Sequence, residues 1–214
     1  MSAPDLPVRR PEEFPAEVER PSASVRGVLL AAGTSSRFGD PNKLLETVED
    51  KPLVRHAAET VVESSLDGVT VVVGHEADRV RAALDGLPVA IRTNDEYATG
   101  QSTSVRVGIA DAAERDADAA LVALGDMPWV SVGTVDRLVE AYRRGVSDLL
   151  VAACDGQRGN PVLFDSRFFD ALTGVDGDVG GREILREADA TVAVETGDSG
   201  VRRDVDRPSD LSGQ

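Results

Sequence analysis

Two basic side chains follow an apolar run of strand length, at a place where a nucleotide triphosphate could bind. Arg37 and Lys43 lie in a loop that also contains Gly33 and Gly39. Glycines let backbone N–H groups approach phosphate oxygens, and the two cations balance the negative charge of the phosphates. The pattern predicts a triphosphate-binding loop, and the alternative is an ordinary loop whose charges are solvated.

Acidic residues follow two other apolar runs. Asp126 comes directly after the run 119–124. A carboxylate there is costly to bury unless a cation pairs with it, and Mg²⁺ bound to triphosphate oxygens would do so. The alternative is that Asp126 only caps the following turn. Asp204 and Asp206 are two residues apart on a predicted strand, so they point to the same side and one of them could complete a metal site. A solvated acidic edge is the alternative there.

The apolar periodicity predicts an alternation of strands and helices that would position these residues. Strands are expected at 25–32, 68–74, 89–92, 119–124, 148–153, 161–164, 191–194 and 203–206, and helices at 52–64, 77–84, 102–114, 131–144, 166–172 and 180–188. The alternation and the valine-rich strands predict an α/β fold, a Rossmann-like three-layer sandwich with a mostly parallel sheet. Ligands bind outside the carboxyl ends of such strands, where the loops described above converge.

The length of 214 residues suits one domain, expected at 25–211. Residues 1–24 contain five prolines among charged side chains and few apolar ones, which predicts a disordered, acidic and proline-rich extension outside the fold.

The formal net charge of -15 argues against a nucleic-acid partner or an anionic membrane surface. Lys43 and Lys51 are the only lysines, and so acidic a chain is typical of adaptation to high salt, that is, of a halophilic protein. A GC-rich genome would also favour arginine over lysine.

One cysteine excludes an intrachain disulfide, and no leader or membrane-spanning run is evident, so a cytoplasmic protein is expected.

Five motifs, in order along residues 27–211, carry a resemblance to a known family. They are LAAGxSxRxGxxxK at 30–43, GDMP at 125–128, RGNPV at 158–162, GDxGxR at 177–182 and DVDxPxDL at 204–211. Together they resemble the MobA-like nucleotidyltransferase family, and within it the molybdenum cofactor cytidylyltransferase branch. The fold that this implies is of the nucleotide-diphospho-sugar transferase type.

The resemblance implies transfer of a nucleoside monophosphate from a triphosphate to a phosphate-bearing acceptor, with release of pyrophosphate. It implies CTP as donor, molybdopterin as acceptor, Mg²⁺ as cofactor and a molybdoenzyme maturation partner. Ala32 is typical of the cytidylyl branch, whereas the guanylyl branch has a second glycine at this position. GTP is therefore the alternative donor. Another phosphorylated small molecule is the alternative acceptor. A nucleotide-binding module without catalysis is the alternative from a different functional class.

The same resemblance implies a role for each matching residue. The main chain of Leu30, Ala31, Ala32 and Gly33 would frame the base and ribose, with Asn94, Ser102 and Ser104 as further nucleotide contacts. Lys43 and Arg37 would hold the triphosphate, and both would act in catalysis together with Asp126. Asp126 and Asp206 would bind the metal. The acceptor would contact Arg158, Asn160, Asp178 and Arg182.

Overall fold

The structure is a computed structural model that describes residues 7–14, 20–34, 38, 42–174 and 191–212. Its strands are β1 (Val8–Arg9), β2 (Val25–Ala31), β3 (Thr47–Val48), β4 (Lys51–Pro52), β5 (Val69–Val73), β6 (Val89–Thr93), β7 (Ala119–Leu124), β8 (Leu149–Cys154), β9 (Gln157–Asp165) and β10 (Thr191–Glu195). Its α-helices are α1 (Leu53–Glu63), α2 (Ala77–Ala83), α3 (Gln101–Glu114), α4 (Val132–Arg143) and α5 (Phe169–Thr173).

Eight strands form one sheet in the order β1-β10-β8-β9-β7-β2-β5-β6. All neighbouring pairs are parallel except the two made by β9, which runs antiparallel between β8 and β7. The carboxyl ends of β2, β5, β6 and β7 therefore meet at one edge of the sheet. The α/β fold with a mostly parallel sheet is confirmed.

Two apolar clusters cover the two faces of the sheet. On one face, alternate side chains of β2 and β5 pack against α1, α2 and α4. On the other face, Val28, Leu30 and Val72 pack against Ile109 of α3 and Phe169 of α5. This arrangement gives the three layers that the valine-rich strands predict, with the central strands buried on both sides.

The amino-terminal segment differs from the expectation of an extension outside the fold. In the described part of it, β1 pairs in parallel with β10, and Phe14 is buried in the cluster that contains α1, α2 and α4, which we call the main cluster. The Arg20 guanidinium lies 2.6 Å from Asp148 and 3.2 Å from Asp165. The segment buries one aromatic ring and adds a two-residue strand, which is too short to produce a detectable periodicity.

The carboxyl-terminal segment also differs from its expected structure. Residues 203–206 form no strand, and a 3-10 turn at Ser199–Arg202 precedes them. The backbone N–H of Val205 donates to the Asp126 carbonyl at 3.0 Å, so the segment is held beside β7 by a loop contact. The helix expected at 180–188 lies outside the described residues. Among the described helices, none has the length and apolar character needed to cross a membrane.

Candidate active site

A cleft of about 430 Å³ opens at the carboxyl ends of β2 and β7. Seven of the residues singled out in the sequence line it, namely Leu30, Ala32, Gly33, Lys43, Ser104, Asp126 and Asp206. Phe38, Tyr97 and Gln101 are among the other lining residues. The three loops that follow β2, β6 and β7 therefore converge on one site, as the topology predicts.

The chemical centre of this cleft is an ammonium group between two carboxylates. Lys43 Nζ lies 2.7 Å from Asp126 Oδ2 and 3.0 Å from Asp206 Oδ1. The side chains are 13%, 20% and 38% exposed for Lys43, Asp126 and Asp206, respectively. Burial alone would lower the pKa of Lys43, but the charges and hydrogen bonds of the two carboxylates outweigh it, so the pKa is raised. Lys43 is therefore a cation at neutral pH.

The donor set of this centre suits a hydrated magnesium ion. Mg²⁺ in phosphate-transfer sites is held by one or two carboxylates together with phosphate oxygens and water. Asp126 and Asp206 place two carboxylate oxygens within 3.0 Å of one nitrogen atom. Within the described ranges, no cluster of three or more His, Cys, Asp or Glu side chains could hold a metal ion by itself. The two carboxylates fit a metal whose remaining ligands come from a phosphate substrate.

Local hydrogen bonds hold Lys43 and Asp126 at this point. Lys43 begins the 3-10 turn Lys43–Leu45, and the buried Asn42 side chain accepts from the Leu44 backbone N–H at 3.1 Å. The Gly125 N–H donates to the Leu30 carbonyl at 2.9 Å, which continues the pairing of β7 with β2 up to Asp126. Lys43 therefore approaches from the turn that follows the β2 loop, and Asp126 approaches from the end of β7.

Asp210, which belongs to the fifth motif but received no role from the sequence, positions Asp206. The Asp210 carboxylate accepts from the backbone N–H groups of Asp206 at 3.0 Å and Arg207 at 2.7 Å. An aspartate four residues after Asp206 and two residues after Pro208 is a turn signal that could have indicated this role.

Asp198, in the segment that precedes Asp206, forms hydrogen bonds with the start of α4. Its Oδ2 accepts from the Ser131 N–H at 2.8 Å, from Ser131 Oγ at 2.9 Å and from Thr134 Oγ1 at 2.7 Å. Its Oδ1 accepts from the Gly200 N–H at 2.8 Å. Burial would raise the pKa of Asp198, but these hydrogen bonds outweigh it, so the pKa is lowered. No periodic signal in the sequence marks this contact.

The side of the cleft opposite the carboxylates is formed by small residues and the start of α3. A Cβ atom on Gly74 would lie 2.6 Å from Tyr97 Cβ and 2.9 Å from Ala32 Cβ. Because Gly74 has no side chain, Tyr97 and Ala32 can both line the cleft. Gly100 and Gln101, at the start of α3, also face it. The lining residues named here, Ala32, Tyr97, Gly100 and Gln101, carry no charge.

Not every residue expected to contact the nucleotide lines the cleft. Ala31 is buried in β2, and Ser102 is buried with no hydrogen-bond partner for its hydroxyl in the described structure. Asn94 is also buried, and its amide donates to Thr103 and Ser104 of α3. Arg37 lies outside the described residues. Of the nucleotide contacts expected at the start of α3, the structure therefore brings Ser104 to the cleft.

The residues expected to contact the acceptor are partly described. Arg158 is exposed and Asn160 half-buried near the start of β9, at the same edge of the sheet as Asp126. Asp178 and Arg182 lie outside the described residues. The Arg203 guanidinium lies 4.1 Å from the centre of the Trp129 ring, close in sequence to Asp126 and Asp206.

Comparison with known proteins identifies the family. A model described as the MobA-like NTP transferase domain matches residues 27–192. The chain belongs to this family. The match spans the loop with Lys43 and the strand end with Asp126, and the family is the one that the five motifs resemble.

Two curated relatives share most of their length with this family member. Nicotine blue oxidoreductase of Paenarthrobacter nicotinovorans is 35% identical over 189 residues, which is 85% of this chain and 92% of the relative. Purine catabolism protein PucB of Bacillus subtilis is 30% identical over 193 residues, which is 86% of this chain and 92% of the relative.

Solved structures share the fold. The protein Rv0371c of Mycobacterium tuberculosis has a TM-score of 0.77 and 25% identity, covering 89% of this chain and 96% of that one. A second structure of Rv0371c, in complex with manganese, has a TM-score of 0.72 and 26% identity, covering 89% and 97%. A divalent metal has thus been observed with a protein of similar structure.

Proposed function

We propose that this chain transfers a nucleoside monophosphate from a triphosphate to a phosphate-bearing acceptor and releases pyrophosphate. The observation that carries the proposal is the Lys43 ammonium between Asp126 and Asp206 in a cleft at the strand ends. A site with these charges can bind both a divalent metal and a polyphosphate, and membership of the NTP transferase family supports that use.

In this reaction an oxygen of the acceptor phosphate attacks the α-phosphorus, and the bond to the bridging oxygen of the β-phosphate breaks. No covalent enzyme intermediate is needed, because positioning and charge neutralisation supply most of the catalysis. Lys43 would contact the triphosphate, together with Arg37. Asp126 and Asp206 would hold Mg²⁺, which supplies neutralisation of the charge on the phosphate oxygens.

The finer proposal is that CTP is the donor and molybdopterin the acceptor. Its support is the motif that contains Ala32, which faces the cleft, together with the five motifs as a set. Acceptor contacts at Arg158, Asn160, Asp178 and Arg182, and delivery of the product to a molybdoenzyme maturation partner, belong to the same proposal. GTP is the alternative donor, and another phosphorylated small molecule the alternative acceptor.

Pyrophosphate release tests the proposal. Purified protein is incubated with Mg²⁺, one of the four nucleoside triphosphates and molybdopterin or another phosphorylated acceptor. We expect pyrophosphate with CTP and molybdopterin, and a loss of at least about 100-fold in Asp126→Asn, because charge neutralisation of this kind commonly contributes that much. A strong preference for GTP would contradict the cytidylyl assignment. Replacing Ala32 by Gly then tests whether this residue sets the base.

A redox activity is the second candidate, because a relative that is 35% identical over 92% of its length is named an oxidoreductase. This candidate predicts that no pyrophosphate forms with any acceptor. A nucleotide-binding module without catalysis predicts tight binding of a triphosphate, again without pyrophosphate. Nucleotide binding measured beside turnover separates these two outcomes.

A further inference from the structure

A buried amide donates hydrogen bonds to two hydroxyl groups at the start of α3. Asn94 follows β6 and is 3% exposed. Its Oδ1 accepts from the Glu96 backbone N–H at 3.0 Å, which identifies the oxygen and the nitrogen of the amide. Its Nδ2 donates to Thr103 Oγ1 at 2.8 Å and to Ser104 Oγ at 2.9 Å. Both amide hydrogens and the oxygen are therefore used within the protein.

The direction of each hydrogen bond in this group follows from counting protons. The Thr103 hydroxyl donates to the Gly100 carbonyl at 2.7 Å, with the Glu96 carbonyl at 3.2 Å, so it accepts from Asn94. Ser104 Oγ also accepts from Asn94, which leaves the single hydroxyl proton of Ser104 to point elsewhere. Among the described residues, the hydroxyl of Ser104 donates no hydrogen bond, and Ser104 lines the cleft.

We propose that Asn94 is a positioning residue that holds the Ser104 hydroxyl as a hydrogen-bond donor toward the nucleobase. This inference rests on the proposed function and gives it a chemical rule for base selection. The cleft then favours a base that presents a carbonyl oxygen or an unprotonated ring nitrogen to Ser104. Asn94 contacts no nucleotide itself and acts through Ser104.

The rule predicts that reversing one hydrogen bond changes the order of base preference. In Asn94→Asp the side chain keeps its shape but has only acceptors, so the Ser104 hydroxyl turns to donate to the new carboxylate. Ser104 then presents a lone pair to the cleft, and a base with an N–H group at that point is favoured. The added negative charge weakens all triphosphates alike, so the ratios between bases isolate the effect of polarity.

The experiment measures dissociation constants of CTP, UTP, GTP and ATP by calorimetry for five proteins. These are wild type, Asn94→Asp, Ser104→Ala, the double variant Asn94→Asp with Ser104→Ala, and Thr103→Val. In Asn94→Asp we expect the ratio of the dissociation constants of the preferred nucleotide and at least one other nucleotide to change about tenfold, which is the effect of about one hydrogen bond. Thr103→Val removes the other contact of Asn94 and serves as the control whose ratios stay as in wild type.

The double variant distinguishes polarity from a general structural effect. If Asn94 acts through Ser104, the ratios of the double variant equal those of Ser104→Ala. The inference is overturned if Asn94→Asp weakens all four nucleotides equally, or if it still alters the ratios when Ser104 is absent. Wild-type protein that binds no triphosphate would overturn the proposed function, whereas unchanged ratios in a protein that binds CTP and releases pyrophosphate would overturn only this inference. Melting temperatures show that each variant is folded.

Discussion

At the scale of single residues, the site depends on the charge balance of Lys43, Asp126 and Asp206. Two carboxylates so close together repel each other, and the ammonium between them compensates for that repulsion. The ammonium also occupies the space between the two groups that would bind a metal. We therefore expect Lys43 to compete with a divalent ion until a triphosphate provides other anions for the lysine.

Lys43→Met is expected to strengthen metal binding in the absence of nucleotide while removing turnover. Without the ammonium, the two carboxylates have only a divalent ion to relieve their repulsion. We expect Mn²⁺ to bind about tenfold more tightly, equivalent to ~1.4 kcal/mol. Electron paramagnetic resonance of free Mn²⁺ measures this directly.

Lys51→Met is the matched control, since Lys51 is the other lysine of the chain and pairs with Glu59 away from the cleft. Its affinity for Mn²⁺ should equal that of wild type. Weaker binding of Mn²⁺ in Lys43→Met would contradict a metal site between Asp126 and Asp206.

At the scale of elements, Asp198 connects α4 to the segment that carries Asp206. Four donors converge on its carboxylate, two of them from Ser131 at the amino end of α4. A Cβ atom on Gly200 would collide with the Trp129 carbonyl, so the segment can pass this close only with glycine there. The loop after β7 and the carboxyl-terminal segment, which carry Asp126 and Asp206, are thereby held together.

Asp198→Asn is expected to destabilise the protein by about 1–2 kcal/mol, because some of the four donors lose a charged acceptor. The pKa of Asp198 is lowered in the folded state, so its contribution is complete above the pKa of the unfolded chain, about 3.9. It is lost as the pH falls through the lower, folded value. Urea unfolding at several pH values should show a difference between wild type and variant at pH 7 that shrinks below about pH 4.

Asp78→Asn provides the comparison, since Asp78 lies on the surface of α2 and is 97% exposed. Its unfolding free energy should match that of wild type at pH 7. A constant difference for Asp198→Asn down to pH 2 would show that the charge of Asp198 is not what matters.

The amino-terminal segment makes a separate contribution to stability. Phe14 is 8% exposed in the main cluster, whereas Val8 of β1 is 39% exposed. Phe14→Ala should cost about 3 kcal/mol, and Val8→Ala less than about 0.5 kcal/mol. Nucleotide affinity should be unchanged in both. Equal melting temperatures for Phe14→Ala and wild type would contradict this packing and would support the disordered extension that the composition of residues 7–14 suggests.

The sequence predicts the strands and helices whose apolar residues repeat periodically. It does not predict residues whose position depends on single contacts between elements. Strands β2, β5 and β7 are largely apolar and bounded by turn residues, so their extents are predicted closely, and the loops that follow β2 and β7 contain Lys43 and Asp126. The spacing of Asp204 and Asp206 leaves open which of them faces the site, and the family resemblance favours Asp206, whose backbone N–H the structure bonds to the Asp210 carboxylate. The roles of Asp198 and Asn94 depend on contacts made between elements, which have no periodicity.

At the scale of the whole molecule, the charge of -15 is spread over a surface with two lysines and many arginines. Most ion pairs are exposed or half-exposed, and such pairs contribute little each. Self-repulsion of the acidic surface is therefore the electrostatic effect that salt changes most.

Added KCl should accordingly raise the melting temperature. Between 0.1 M and 1 M salt the screening length falls from about 10 Å to about 3 Å, which removes most of the repulsion between exposed carboxylates. We expect an increase of at least about 3 °C at pH 7, close to 1 kcal/mol for a chain of this size. Near pH 4.5, the isoelectric point of the sequence, the increase should disappear. A melting temperature that falls with salt at pH 7 would contradict this interpretation.

Transfer of a nucleoside monophosphate can be followed with CTP that is radiolabelled in one phosphate at a time. With label in the α-phosphate, we expect radioactivity to move to the acceptor; with label in the γ-phosphate, we expect it to move to pyrophosphate. Both transfers should be lost in Asp126→Asn, with Asp78→Asn retaining them. Label that stays in CTP, or α-label released only as free CMP with every acceptor, would contradict the account.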